Sequence, residues 1–124
     1  MKTENSILKD VRESVGLTSE DTSFDIELLQ HINASIGRVN QNGVGNFLVV
    51  EDETAVWGDL KNENQVNGNL YFHMIPLYIS LMTKLLFDPP APSSAQFHSS
   101  NAEELLWRLK IAYEDSIVQP LNDY

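Results

Sequence analysis

Apolar residues along the chain fall into four periodic stretches separated by polar segments. In the first, Ile7, Val11 and Val15 recur every four residues with Leu8 beside them, which describes one face of a short amphipathic helix. Ser6 stands where an N-cap belongs, and Gly16 where the helix would stop. Residues 18–24, TSEDTSF, are polar and read as a loop. Ser23 then precedes a second stretch whose apolar residues, Ile26, Leu29, Ile32, Ile36 and Val39, are spaced three, three, four and three apart, with Glu27 placing an acid in the first turn. This pattern predicts a second helix, to about Val39, with one apolar face formed by those five residues. Asn40-Gln41-Asn42-Gly43-Val44-Gly45 ends it, with an Asn-Gly pair that tolerates positive φ.

Residues 70–87, LYFHMIPLYISLMTKLLF, are different in kind: apolar on nearly every side of a helical wheel, so the pattern predicts a helix covered all round. Its packing residues are expected to be Tyr71, Ile75, Tyr78, Met82, Leu85 and Phe87. Asp88, Pro89 and Pro90 form its stop, because Pro89 drives Asp88 out of helical dihedrals and neither proline offers a backbone donor. Pro76 either kinks a continuous helix or begins a shorter one, and the continuous, kinked helix is the preferred reading. Between the second helix and this one, Phe47, Leu48, Val49 and Val50 make a short β-favouring run. Asp52 is placed to cap a brief helical turn from Thr54 to Trp57, and residues 58–68 read as a polar loop.

The segment APSSAQFHSS, residues 91–100, reads as loop, followed by a last helix with Asn101 as cap and Glu104 three residues on, a capping-box pattern. Leu105, Leu109, Ala112 and Tyr113 supply its apolar face, Leu106 widens it, and Trp107 falls near its edge. The expected fold is therefore mainly α: a small bundle of four to five helices around a long central helix, with at most a short β segment. Residues 1–115 form the helical domain, and 116–124, interrupted by Pro120, form a tail expected to order only on assembly.

Composition narrows the class of function. With 18 Asp and Glu against 8 Lys and Arg in 124 residues, the net charge is -10, which opposes any grip on nucleic acid because such binding needs clustered cations against phosphates. The absence of cysteine excludes disulfides and thiolate chemistry. The N-terminal MKTENSILKDVRES has no apolar core or cleavage site, so no secretory signal is expected. The 70–87 run is long enough to invite a membrane reading, but His73, Ser80, Thr83 and Lys84 lie within it and no basic flank supports insertion.

Few residues fall into patterns that carry chemistry. His31, His73 and His98 sit on different elements, and His31 with Glu27 is one pair where zinc needs three or four ligands. Glu51, Asp52, Glu53 and Asp59 lack the spacing and glycine of a calcium loop, and Gly43-Val44-Gly45 lacks the Lys-Ser or Lys-Thr of a phosphate loop. No nucleophile elbow and no His-Glu-x-x-His motif is present. Neither cofactor, metal nor catalysis is expected. Trp57 and Trp107 are expected in a core or a subunit interface rather than stacked on a ligand.

Taken in order, several of these pieces resemble a known family. Ser23-Phe24-Asp25-Ile26-Glu27 leading to His31-Ile32-Asn33, then Val39-Asn40-Gln41 with Gly43-Val44-Gly45, then Trp57-Gly58-Asp59, begin the series. Tyr78-Ile79 with Lys84-Leu85-Leu86-Phe87-Asp88-Pro89-Pro90, and Glu104-Leu105-Leu106-Trp107-Arg108-Leu109, complete it. The series resembles the head-tail connector (adaptor) proteins of tailed bacteriophages of Gram-positive bacteria, over residues 1 to about 113. The Phe-Asp-Pro-Pro and Glu-Leu-x-Trp-Arg-Leu elements, in this order, carry most of its specificity. Pro76 and the chain beyond Tyr113 depart from the family pattern.

The resemblance implies a structural virion protein without enzymatic activity, built in the host cytoplasm and located at the head-tail junction. It implies a homo-oligomeric ring under the portal protein that extends the DNA channel and meets a stopper or tail-completion protein. Ring subunits would explain apolar residues around the whole central helix, which then serves both core and ring contacts. Glu51, Asp52 and Glu53 become candidate channel acids that keep passing DNA from sticking. Phe47, Leu48, Val49 and Val50, with Ile117, Val118 and Leu121, become candidate assembly segments. The alternative from another class is an acidic, soluble binding module, a DNA mimic or antitoxin-like protein, engaging a basic partner.

Overall fold

The computed structural model describes residues 2, 4–45, 49–60 and 68–116, and the side chains of all of these except residues 68–73, 115 and 116. Helix α1, Ile7–Ser14, starts where the Ser6 hydroxyl accepts a hydrogen bond from the Lys9 amide, as a side-chain cap must. It ends at Gly16, whose φ of 95° lets the Leu17 amide reach back to the Arg12 carbonyl and the Gly16 amide to Glu13. Helix α2, Asp25–Gln41, ends in the same way at Gly43, with the Val44 amide bonded to the carbonyl of Val39. Helices α3, Gly68–Phe87, and α4, Pro92–Ser116, follow, and a 3-10 turn, Trp57–Leu60, precedes them.

The fold is mainly α, a small bundle in which α3 packs against α1, α2 and α4. Among the described residues there is no β-strand, only one antiparallel bridge between Ser6 and Val56. Phe24 at the start of α2 meets Phe87 at the end of α3, ring centroids 5.4 Å apart and nearly perpendicular, and Arg38 near the end of α2 donates to the Tyr78 hydroxyl at 3.3 Å. The two helices therefore run antiparallel. Ile7, Leu8 and Val11 from α1, Leu28, Ile32 and Val39 from α2, Ile75, Tyr78 and Ile79 from α3, and Leu109 from α4 fill the core.

Four expectations change. The inward face of α2 is Leu28, Ile32, Ser35, Ile36 and Val39, with Leu29 at its edge, and Ile26 is 79% exposed. At 100° per residue Ile26 lies about 140° from the centre of that stripe, so the three-residue step from Ile26 to Leu29 mimics a periodicity that the wheel does not support. Second, α3 is a continuous helix with Pro76 inside it, but it is not covered all round: Leu77 and Leu86 are exposed.

Third, α4 begins at Pro92, not at Asn101, so nine residues expected as loop are helical. Pro92 at the first helical position loses nothing by lacking an N–H, and the Ser94 amide and hydroxyl both turn back to the Ala91 carbonyl. Asn101 is an exposed residue inside the helix. The stop itself holds, since α3 ends at Phe87 and the Asp88 amide closes its last turn on Lys84. Fourth, Asp52 does not cap the helical turn; its carboxylate holds the amide and hydroxyl of Thr54, while Asp59 accepts from the Val56 amide beside the turn Trp57–Leu60.

Candidate functional site

The start of α2 is held by a buried arginine. Arg12, on α1 and 1% exposed, donates through Nε and Nη2 to the two carboxylate oxygens of Asp25 at 2.9 and 2.6 Å, and through Nη1 to the Ser19 carbonyl at 2.6 Å. Its Nη2 also lies 3.0 Å from Glu53. The hydrogen bond to Asp25 is the largest influence raising the arginine's pKa, with burial opposing it. A planar fork meeting a carboxylate on two bonds fixes orientation as well as distance. Arg12 thus locks α1, the loop before α2, the first turn of α2 and the residue 53 loop into one unit. Sequence reasoning missed it, since an arginine one residue past Val11 reads as the solvent side of α1.

The loop carrying the candidate channel acids is tied down at three further points. Asn33 on α2 pairs its side-chain amide with both backbone groups of Val50, accepting from the amide at 2.8 Å and donating to the carbonyl at 2.9 Å. This reproduces with one side chain the pairing that a neighbouring strand would give. Val50, buried, therefore has a partner within the chain, whereas Val49 beside it is exposed. The Ile7 amide bonds the Ala55 carbonyl and the Trp57 amide the Asn5 carbonyl, and the fully buried Trp57 indole donates to Asp10 at 2.7 Å. Glu51, Asp52 and Glu53 are exposed on this loop. Glu53 braces Arg12, and Asp52 is held below the usual carboxylate pKa by the Thr54 hydroxyl and then by the Thr54 amide.

Two grooves carry exposed apolar side chains. The first, about 590 Å³, lies along the start of α2 and is lined by Phe24, Ile26, Glu27 and His31 among others, with no lysine or arginine among the described residues. His31 Nε2 and Glu27 Oε2 are 3.3 Å apart, one turn from each other on the rim. The second, about 290 Å³, lies between the end of α2, at Asn42, and α4, with Leu106, Trp107, Lys110, Ile111 and Glu114 along it. Trp107 is 62% exposed there. Among the described residues no group of three or more His, Asp or Glu converges as metal ligands would.

Of the residues proposed from the central helix, Ile75 and Tyr78 are buried in the core, and Met82 and Phe87 pack against it half-buried, as Leu85 is half-buried. The side chain of Tyr71 lies outside the described residues, as do Phe47, Leu48, Ile117, Val118 and Leu121 and the remainder of the 116–124 tail past Ser116. Ile26, expected on the packed face of α2, is instead exposed beside Phe24, and its displacement on the helical wheel was the available signal.

This helical chain, with a short two-proline break between its last two helices, matches the family model described as phage connector protein over residues 7–116. The chain belongs to the phage connector protein family. The connector match spans all four helices, from the first residue of α1 to the last of α4. Membership makes the connector a structural component of the phage particle that associates with other head or tail proteins. No curated protein and no solved structure matches the chain. Among the described residues no helix of this connector is long and apolar enough to cross a membrane.

Proposed function

We propose that this connector subunit assembles into a closed ring beneath the portal, extends the DNA channel and presents a platform to the stopper or tail-completion protein. The match to the phage connector family across α1 to α4 carries the reading. Two grooves bearing exposed apolar residues, on different parts of the surface, support it, because a ring requires two unlike faces on each subunit. The role is structural and needs no catalytic group. Glu51 and Asp52, exposed on a loop anchored by Asn33 and Arg12, face the channel and repel passing DNA, with Glu53 shared between that surface and the arginine.

Negative-stain images and light scattering of the purified protein, alone and mixed with portal assemblies, test the reading. Rings of uniform diameter, free or seated on portal, are expected. A monomer at high concentration that ignores portal assemblies would overturn it. The channel assignment has its own test: Glu51→Lys with Asp52→Lys should slow DNA passage in assembled particles, and unchanged ejection would remove those residues from the channel wall.

A further inference from the structure

Two helical edges on this subunit carry the same spacing, with side chains that match position by position. Along the first groove, Phe24, Glu27 and His31 follow one another at intervals of three and four residues at the start of α2. Along the second, Trp107, Lys110 and Glu114 follow at the same intervals on α4. Residues three and four apart on a helix lie on one side of it, so each triplet is a continuous edge about 10 Å long. Laid side by side in parallel, the edges put an exposed aromatic ring against an exposed aromatic ring, a lysine against a glutamate, and a glutamate against a histidine. The grooves lie at opposite ends of α2, about 24 Å apart between Ile26 and Asn42 at the helical rise. One subunit therefore cannot bring its own two edges together.

We propose that the Trp107–Lys110–Glu114 edge of one subunit docks on the Phe24–Glu27–His31 edge of a second copy, and that this head-to-tail contact is the ring interface. It rests on the ring reading above and specifies its faces. Trp107 enters the 590 Å³ groove beside Phe24, with Ile26 and Ile111 covered at the margin. Lys110 meets Glu27 in a groove whose described lining otherwise holds no lysine or arginine, and Glu114 comes to lie beside His31. Because the two faces differ, the contact repeats head to tail from subunit to subunit, as the ring reading requires; a twofold dimer would need a self-complementary patch. Arg12 sets the geometry at a distance, since its bonds to Asp25 fix the turn that presents Phe24 and Glu27.

The chain has no cysteine, so paired cysteines report the contact cleanly. Glu27→Cys and Lys110→Cys are made separately, shown by circular dichroism to keep wild-type helicity, mixed and oxidised, with ring formation followed by electron microscopy. The expected result is a 27-to-110 cross-linked dimer from the mixture and none from either variant alone. In uncross-linked protein, Glu27→Lys or Lys110→Glu should weaken association about fivefold, and the two together should restore it. Rings that form without the 27-to-110 product, or with 27-to-27 or 110-to-110 products, overturn this interface while leaving the ring intact. Failure of the unmodified protein to form rings either alone or with portal assemblies overturns the ring reading and the contact with it.

Discussion

Arg12 and Asp25 form a two-bond pair, 2.9 and 2.6 Å, in which the arginine is buried and the carboxylate is three-quarters covered. Removing one partner of such a pair leaves the other's charge without its counterpart in a poorly solvated place. Arg12→Leu is expected to cost about 2–4 kcal/mol, the lower end reflecting the partial exposure of Asp25 and Glu53. Arg12→Lys should recover little, because one ammonium cannot span both carboxylate oxygens and the Ser19 carbonyl in the same plane. Urea unfolding curves of the three proteins check this, and a lysine variant as stable as wild type would contradict it.

Asn33 acts on Val50 as a strand edge would. Asn33→Ala removes a donor and an acceptor from two backbone groups of a buried residue, an expected loss of about 1–3 kcal/mol. Asn33→Asp keeps the acceptor for the Val50 amide and loses the donor, so it should fall between the two. Hydrogen exchange at the Val50 amide gives a local reading: exchange should accelerate strongly in Asn33→Ala and less in Asn33→Asp. Equal exchange in all three proteins would mean that Asn33 is not what protects the amide.

Much of this architecture can be read from residue order because it depends on local chemistry. Ser6, Gly16, Gly43 and the Asp88-Pro89-Pro90 stop act within a few residues of themselves, so cap, reversal and termination follow from residue type alone. Where neighbours in space decide, the sequence is silent or misleading. Ile26 belongs to an apolar spacing but faces outward, since α3 covers α2 along Leu28, Ile32 and Val39. Arg12 reads as a surface cation until the loop from Ser19 and the residue 53 loop fold over it. The second groove could not be found because it joins the end of α2 to α4, so that Asn42 and Trp107 line it together only in the folded protein, whereas the first lies along one segment, residues 22–31, where the outward position of Ile26 was the signal.

Asp21 and Asp52 each sit at the head of a short turn, with Ser23 and Thr54 as partners, and the side-chain hydrogen bond is the first cause lowering the pKa in both, followed by the backbone one. A carboxyl whose folded pKa lies below its unfolded value stabilises the fold fully above the unfolded value, here 3.8, and that contribution is lost as pH falls through the folded pKa. Carboxyl NMR titration should place both midpoints below 3.8. Thr54→Val removes the hydroxyl but keeps the amide, so the Asp52 midpoint should rise part of the way toward 3.8 while Asp21 stays where it was. A shift at Asp21 of equal size would point to a general loosening rather than to the lost hydroxyl.

Ser6 and Asn101 are both plausible helix caps from sequence, and they should respond in opposite directions to alanine. The Ser6 hydroxyl accepts from the Lys9 amide, so Ser6→Ala leaves a helix-end donor without its partner and should cost about 1 kcal/mol. Asn101 lies nine residues inside α4, exposed, where every amide is already within the helical ladder. There alanine has the better helix propensity, and Asn101→Ala should raise stability by about 0.5 kcal/mol. If both substitutions were destabilising by similar amounts, α4 would start at Asn101 after all, and residues 92–100 would be a connecting loop. Thermal unfolding of the two single variants and of the double variant, whose effects should add because the sites lie on separate helices, decides between these outcomes.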